Sequence, residues 1–122
     1  MTPEDLIATY EQRLAQMSFD AVSDLIAPDA FFWFSDGSHR GLEQIRRAFD
    51  ATWAQLQNET YWLTELEWIA RGDTAAACIY KFNWTAQIDG QPASGAGRGT
   101  SVLEKREGRW LIVHEHLSAD PA

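Results

Sequence analysis

The stretch GRWLIVHEHLS, residues 108–118, decides the fold, because it predicts a long strand with two demanding faces. Side chains alternate across a strand, so strict alternation places one set of residues on each face. One face is predicted to carry Trp110, Ile112, His114, His116 and Ser118, and the other Leu111, Val113, Glu115 and Leu117. The first set would suit the floor of a half-apolar pocket, and the mostly aliphatic second set would bury against another surface. We therefore expect this strand inside a sheet and not at its edge.

Three further extended segments precede this strand. Asp89-Gly90 and Glu107-Gly108 are hairpin signals between consecutive strands. Together they predict a meander of four long antiparallel strands over residues 61–70, 74–88, 98–105 and 110–117.

The first half of the chain is predicted to be mainly helical. Helix one is expected from Pro3 to about Met17, because Thr2 can cap it and apolar residues repeat at helical spacing. A short second helix follows Ser18 and stops at Pro28. After a compact aromatic strand at residues 30–34, helix three begins at about residue 41.

This order of elements indicates an α+β fold. A strand of about 14 residues spans roughly 45 Å, so a sheet of such strands in a small domain must twist and curl. We expect three helices, all in the N-terminal half, to pack on a strongly curved, mostly antiparallel sheet. The result is a cone with an opening, and residues 1–122 are interpreted as a single domain.

The formal net charge is −8, which argues against nucleic acid or an anionic membrane as a partner, because both need a basic patch. Cys78 is the lone cysteine and is expected to be a buried hydrophobe. Neither a signal peptide nor an apolar run long enough to span a membrane is recognised, so the default location is the cytoplasm. No cofactor pattern occurs, because Gly95, Gly97 and Gly99 do not join a strand to a helix.

The chain resembles the NTF2-like superfamily, especially its SnoaL-like and DUF4440-like branches. Its C-terminal stretch also resembles the association domain of calcium/calmodulin-dependent protein kinase II. The resemblance depends on the ending Gly108-Arg109-Trp110-x-Ile112-Val113-His114-x-His116-x-Ser118, on Ala77-Cys78-Ile79 continuing to Thr85 and Ile88-Asp89, and on Arg40-Gly41-x-x-x-Ile45.

The resemblance implies a curved sheet wrapped round helices, a pocket between sheet and helix one, and a homodimer formed through the outer sheet face. Tyr10 matches the helix-one tyrosine of the superfamily's isomerases by position. Those enzymes also use a carboxylate base on the first strand, where this chain has Phe32-Trp33-Phe34. Proton abstraction by that mechanism is therefore not expected here.

The alternation of side chains along the strands decides which strand residues are predicted to line the pocket. Its expected lining residues are Tyr10, Trp33, Asn83, Arg98, Trp110, His114 and His116. His114 and His116 are candidates for acid/base catalysis, with hydrogen-bonded structural imidazoles as the alternative. They lack a third ligand fixed nearby, so no metal site is predicted.

Tyr80, Phe82 and Trp84 share the other face of their strand and are predicted to meet a second subunit, because soluble monomers rarely expose such a patch. Three functions remain open. The first is a protein of unassigned activity whose pocket takes an unidentified, small, partly apolar molecule. The second is a SnoaL-like isomerase, cyclase or hydrolase that uses the two histidines. The third is an oligomerisation module like the kinase association domain.

Overall fold

The structure is a computed structural model that describes residues 1–121. Helix α1 spans Pro3–Leu14 and begins at a capping box, in which the Thr2 hydroxyl accepts from the backbone N–H of Asp5 at 3.1 Å. The Asp5 carboxylate accepts in turn from the backbone N–H of Thr2. One face of α1, which includes Tyr10, is buried against the sheet.

The predicted second helix is wrong. Residues of this segment form two single 3₁₀ turns, Phe19–Ala21 and Ser23–Leu25, and Ser18 makes no side-chain cap. Each turn buries one apolar residue in the core, Phe19 from the first and Leu25 from the second. The described residues therefore contain two α-helices, and the second, α2, spans Gly41–Gln55.

Six strands form one sheet in the order β2-β1-β6-β5-β4-β3. Their bounds are β1 Ile26–Phe34, β2 Gly37–Arg40, β3 Gln57–Arg71, β4 Ala75–Ile88, β5 Gln91–Arg106 and β6 Arg109–Ala119. The short strand β2 was not predicted, and β5 begins at Gln91, seven residues before the predicted strand 98–105. All neighbouring strands are antiparallel except β1 and β6, which are parallel, so β6 lies inside the sheet as predicted.

Both predicted hairpins are confirmed. The two-residue turns Asp89-Gly90 and Glu107-Gly108 have positive φ at both positions, the conformation that matches the right-handed twist of the flanking strands. The first hairpin sets β4 against β5 in an unbroken register from Ile88 to Ala75.

The β4–β5 register places three glycines opposite three aromatic residues. Gly95, Gly97 and Gly99 pair with Trp84, Phe82 and Tyr80 respectively. A Cβ built on any of these glycines would lie 2.3–2.5 Å from a ring atom of its partner. The missing side chains therefore let the three rings lie across β5 on the inner face of the sheet.

A β-bulge interrupts the alternation of β6. Val102 of β5 pairs with His114, but the next residue, Leu103, pairs with Ile112, so Val113 is an extra residue on β6. Trp110 and Ile112 before the bulge, and Glu115 and Leu117 after it, consequently share the inner face. His114 and His116 point to the outer face.

Candidate functional site

A cavity of about 430 Å³ lies between the two helices and the inner face of the sheet. Residues from both helices, from strands β1, β3, β4 and β6, and from the connections that follow β1 and α2 line it. They are Tyr10, Leu14, Phe34, Ser35, Asp36, Phe49, Thr52, Trp53, Gln55, Leu56, Glu59, Tyr61, Phe82, Trp84, Ile88, Glu115 and Leu117. This volume lies within the range of small-molecule sites.

Aromatic rings form two opposite walls of the cavity. On the helix side, Phe49 contacts Phe34 edge to face with ring centroids 5.9 Å apart, and Trp53 at 5.2 Å. On the sheet side, Tyr61 stacks on Phe82 at 6.3 Å, and Trp84 follows on the same strand face. Such contacts hold the rings in place and leave their apolar surfaces to a ligand.

Glu115 provides a carboxyl group on the inner sheet face, and the residue is only 2% exposed. Burial raises the pKa of this carboxyl from 4.5 to about 8, because desolvation disfavours the charged form. The nearby hydroxyls of Tyr10 and Tyr80 lower the pKa by a smaller amount. No positive charge contributes to this shift, so Glu115 is mostly protonated at pH 7.

Three tyrosines surround this carboxyl. The Tyr10 hydroxyl donates to Glu115 Oε2 across a long 3.5 Å contact, and the Tyr80 hydroxyl hydrogen-bonds Ser101 Oγ at 2.8 Å. Burial raises the pKa of Tyr10, Tyr61 and Tyr80 well above its ordinary value, with Glu115 as the next cause for each. The hydroxyls therefore stay protonated and can donate hydrogen bonds throughout the physiological pH range.

Two further carboxyl groups lie along the cavity wall. Glu59 is partly buried, which raises the pKa of its carboxyl, and its Oε1 accepts from Trp53 Nε1 at 3.1 Å. This hydrogen bond joins the end of α2 to β3. Asp36 lies in the β1–β2 turn, where its carboxylate is 3.9 Å from His39 Nε2.

Of the residues predicted to line the pocket, the structure brings only Tyr10 to this cavity. Trp110 lies on the inner face but in the core, with the Arg71 guanidinium 5.6 Å from its ring centroid. Asn83 lies on the outer face, where its amide donates to Thr64 Oγ1 at 3.2 Å.

The other four predicted residues also lie on the outer face. Trp33 packs edge to face against His114 and His116, with ring centroids 5.4 and 5.5 Å apart. The His114 Nδ1–H donates to the Phe31 carbonyl of the parallel neighbour β1. Arg98 lies with His116 in a shallow depression on the same face. The bulge at Val113 explains the reversed faces of the two histidines, because strict alternation through that residue assigns them to the wrong side.

The predicted outer patch of Tyr80, Phe82 and Trp84 is also wrong, because these three side chains point to the inner face of the sheet. Tyr80 is buried in the core, and the other two rings line the inner cavity. They cannot meet a second subunit through the outer sheet face.

Sequence reasoning did not place Glu115 on the inner face. It also did not predict the ring pairs of the cavity walls, Phe49 with Trp53 and Tyr61 with Phe82. A usable signal was present at the Asp89-Gly90 turn. A two-residue hairpin there places Gly95, Gly97 and Gly99 opposite the three aromatic residues of β4. Because glycine has no side chain, the ring opposite each glycine can lie over it on the concave side of the curled sheet. This arrangement predicts that the three rings point inward.

A family model described as a SnoaL-like domain matches residues 4–121. The chain belongs to the SnoaL-like domain family.

Solved structures place this SnoaL-like domain within the NTF2-like fold. An NTF2-like superfamily protein from Salmonella enterica is 23% identical with a TM-score of 0.88, over 97% of this chain and 88% of that chain. A protein from Xanthomonas campestris, assigned as a calcium/calmodulin dependent protein kinase II association domain, is 28% identical with a TM-score of 0.83, over 95% and 84%. The association domain of the Caenorhabditis elegans kinase is 20% identical with a TM-score of 0.74, over 95% and 94%. The predicted resemblance and the α+β class are confirmed.

None of the helices within residues 1–121 of this SnoaL-like domain is long and apolar enough to cross a membrane.

Proposed function

We propose that this SnoaL-like domain binds a small, partly apolar molecule in the inner cavity. The observation that carries the proposal is a space of about 430 Å³ with aromatic walls and the buried Glu115 carboxyl on its sheet side. Apolar walls with a few convergent polar groups are the usual composition of a ligand site. The walls would exclude water, and Glu115 with Tyr10 would fix the polar end of the ligand.

The tryptophans of the chain allow a direct test by NMR of the indole N–H signals during a ligand screen. Trp53 and Trp84 line the cavity, whereas Trp33 and Trp62 are exposed on the outer face. A ligand in the cavity should shift the first two signals and leave the second two unchanged. At 100 times its dissociation constant it should also stabilise the fold by about 2.7 kcal/mol. Binding that shifts only the outer signals would contradict the proposal.

Glu115 supports a second candidate, an enzyme of a hydrophobic substrate. A carboxyl whose pKa is about 8 can both donate and accept a proton near neutral pH, which is what general acid/base catalysis needs. In this version Glu115 replaces His114 and His116, which face away from the cavity. With a substrate in hand, Glu115→Gln should abolish turnover and the double variant His114→Gln/His116→Gln should retain it. The reverse result would exclude this candidate.

We also propose that the outer sheet face forms a homodimer. This face exposes large apolar side chains, among them Trp33 at 44%, Trp62 at 38% and Ile79 at 37%. Similarity to association domains supports self-association. Light scattering should give a dimer mass, and Trp62→Arg should give a monomer. Gln91→Arg adds the same charge at the distant hairpin and should leave the dimer intact, whereas a monomeric parent protein would contradict the interface.

A further inference from the structure

Within residues 1–121, acidic residues line the inner cavity, and basic residues do not. Asp36, Glu59 and Glu115 contribute carboxyl groups, and the lining residues within the described part of the chain include no Lys, Arg or His. Aromatic residues make up half of the other lining residues: Tyr10, Phe34, Phe49, Trp53, Tyr61, Phe82 and Trp84. This combination differs from a general apolar pocket, in which charges of either sign orient the ligand.

We infer that the occupant of the cavity is an organic cation, an amine or quaternary ammonium with an apolar part attached. The inference rests on the proposed binding function and adds the chemical class of the ligand. Cations are attracted to the faces of aromatic rings, and aromatic cages are the usual means by which proteins bind quaternary ammonium groups. Here the rings stand on two sides of the space, with the helix wall opposite the sheet wall.

The Glu115 carboxyl lacks the counter-charge that a buried acid normally has. Its Oε2 has the long 3.5 Å contact from Tyr10, the Tyr80 hydroxyl is the other group that lowers its pKa, and no cationic side chain contributes to that pKa. A carboxyl nine-tenths buried stays charged only if a cation compensates it. A bound ammonium would supply that charge from the ligand, at the one place where the protein supplies none.

A metal ion fits the same acids poorly. Within residues 1–121, no three His, Cys, Asp or Glu side chains are grouped closely enough to hold a metal. Asp36 comes from the β1–β2 turn, Glu59 from the start of β3 and Glu115 from β6, so their charges act on a cavity-sized ligand and not on a point ion. Glu59 is also occupied in part by its hydrogen bond from Trp53.

Three probes that share a phenol ring test the charge of the ligand. They are meta-hydroxyphenyl trimethylammonium, its neutral isostere meta-tert-butylphenol, and the anion meta-hydroxybenzoate. We expect the ammonium to bind at least about tenfold more tightly than the isostere by calorimetry, since a desolvated cation–π contact alone gives that ratio. The anion should bind more weakly than either, and the indole signals of Trp53 and Trp84 should report the site.

Variants of the cavity acids test whether these residues cause the preference for the ammonium probe over the neutral isostere. Glu115→Gln should remove most of the ammonium preference without weakening the neutral isostere, and Glu59→Gln should lower it in part. Glu107→Gln is the matched control, because it removes the same charge from an exposed position in the β5–β6 turn, outside both the cavity lining and the proposed dimer face. If Glu115→Gln fails to fold, Glu59→Gln compared with Glu107→Gln still decides the question.

Proton release provides an independent readout. A bound cation favours the ionised Glu115 carboxyl, so ammonium binding at pH 7 should release a proton, seen as a buffer-dependent heat, and affinity should rise up to about pH 8. The groups facing Glu115 do not compete in this range, because burial raises the pKa of Tyr10, Tyr61, Tyr80 and Cys78, the last to about 12. Glu59 also lines the cavity, and the Glu59→Gln variant measures how much it contributes to proton release.

Each outcome decides between the two claims. If the isostere binds as tightly as the ammonium, or the anion binds best, the cation inference is overturned while binding in the cavity stands. If no probe binds at millimolar concentration, both claims fail.

Discussion

Glu115 should make folding stability fall as pH rises from 5 to 9. The pKa of its carboxyl is raised from 4.5 to about 8 in the folded protein, so the native state keeps a proton that the unfolded chain has lost. Stability falls with pH wherever the native state binds more protons than the unfolded state. The favourable contribution is fully present below pH 4.5, and it decreases until the folded protein also ionises, above about pH 8.

The size of the effect follows from the two pKa values. The difference, 8 minus 4.5, is about 3.5 pH units, and each unit corresponds to 1.36 kcal/mol, which gives roughly 5 kcal/mol in total. On the same basis, about 2.5 kcal/mol is lost between pH 5 and 7, and about 1.4 kcal/mol more between pH 7 and 9. A loss of this size is a large fraction of the stability of a typical domain.

Urea denaturation at pH 5, 6, 7, 8 and 9 measures this slope in the parent protein and in Glu115→Gln. Glutamine has nearly the same shape and is neutral in both states, so the variant should match the parent at pH 5. At pH 9 it should be more stable by roughly 4 kcal/mol. Acids whose pKa is lowered, such as Glu4 and Asp29, titrate below this window and do not affect the comparison.

Glu107→Gln, in the exposed β5–β6 turn, is the control for loss of one exposed acid, and its curve should run parallel to that of the parent. If the Glu115→Gln curve also ran parallel to the parent curve, the carboxyl would be ionised and solvated in the folded protein. The argument from its burial would then be wrong.

Three further measurements test the surroundings of this site. Gly97→Ala should lower the free energy of unfolding, measured with urea, by about 2 kcal/mol or more, because a Cβ there would lie 2.2 Å from the Ser118 carbonyl oxygen. The control is Ala96→Ser at the neighbouring exposed position, which should change this free energy by less than about 0.5 kcal/mol. Tyr10→Phe removes a hydroxyl that lowers the Glu115 pKa, so carbon NMR of that carboxyl should show its titration moved to higher pH. Burial raises the pKa of the Cys78 thiol to about 12, so a thiol reagent at pH 8 should react with it only after unfolding in urea, and fast reaction with the native protein would contradict the packing.

Local signals predicted most of the fold. Three kinds of signal depend only on residues close together in the sequence: the capping residue Thr2, the two turns with glycine at the second position, and the amphipathic stripe of α2. Each element that they predict is present. The segment from Ser18 to Pro28 failed because its form depends on what packs around it. Phe19 and Leu25 are buried by distant parts of the chain, so two 3₁₀ turns replace the expected helix.

The site was harder to predict than the fold, because the facing of every β6 residue after the bulge depends on one inserted residue. A β-bulge has no strict sequence pattern, and Val113 has the composition of an ordinary strand residue. If alternation is assumed to continue through Val113, His114 is assigned to the inner face and Glu115 to the outer face. The sequence then predicts a pocket with imidazole groups in place of a pocket with a carboxyl group. Tyr10 was placed correctly because helix α1 contains no comparable irregularity.

The bulge at Val113 and the glycines of β5 act on the same surface. The glycines let Tyr80, Phe82 and Trp84 lie inward across β5, and the bulge turns Glu115 toward the same side, beside Tyr80 and Tyr10. A regular β6 strand would have buried an imidazole among these rings and exposed the acid to water at no cost. The structure instead buries an acid without a counter-charge, which is energetically unfavourable for folding alone. A polar group placed against stability in this way is a reason to propose a ligand for the cavity, because the fold alone gives no reason to bury it.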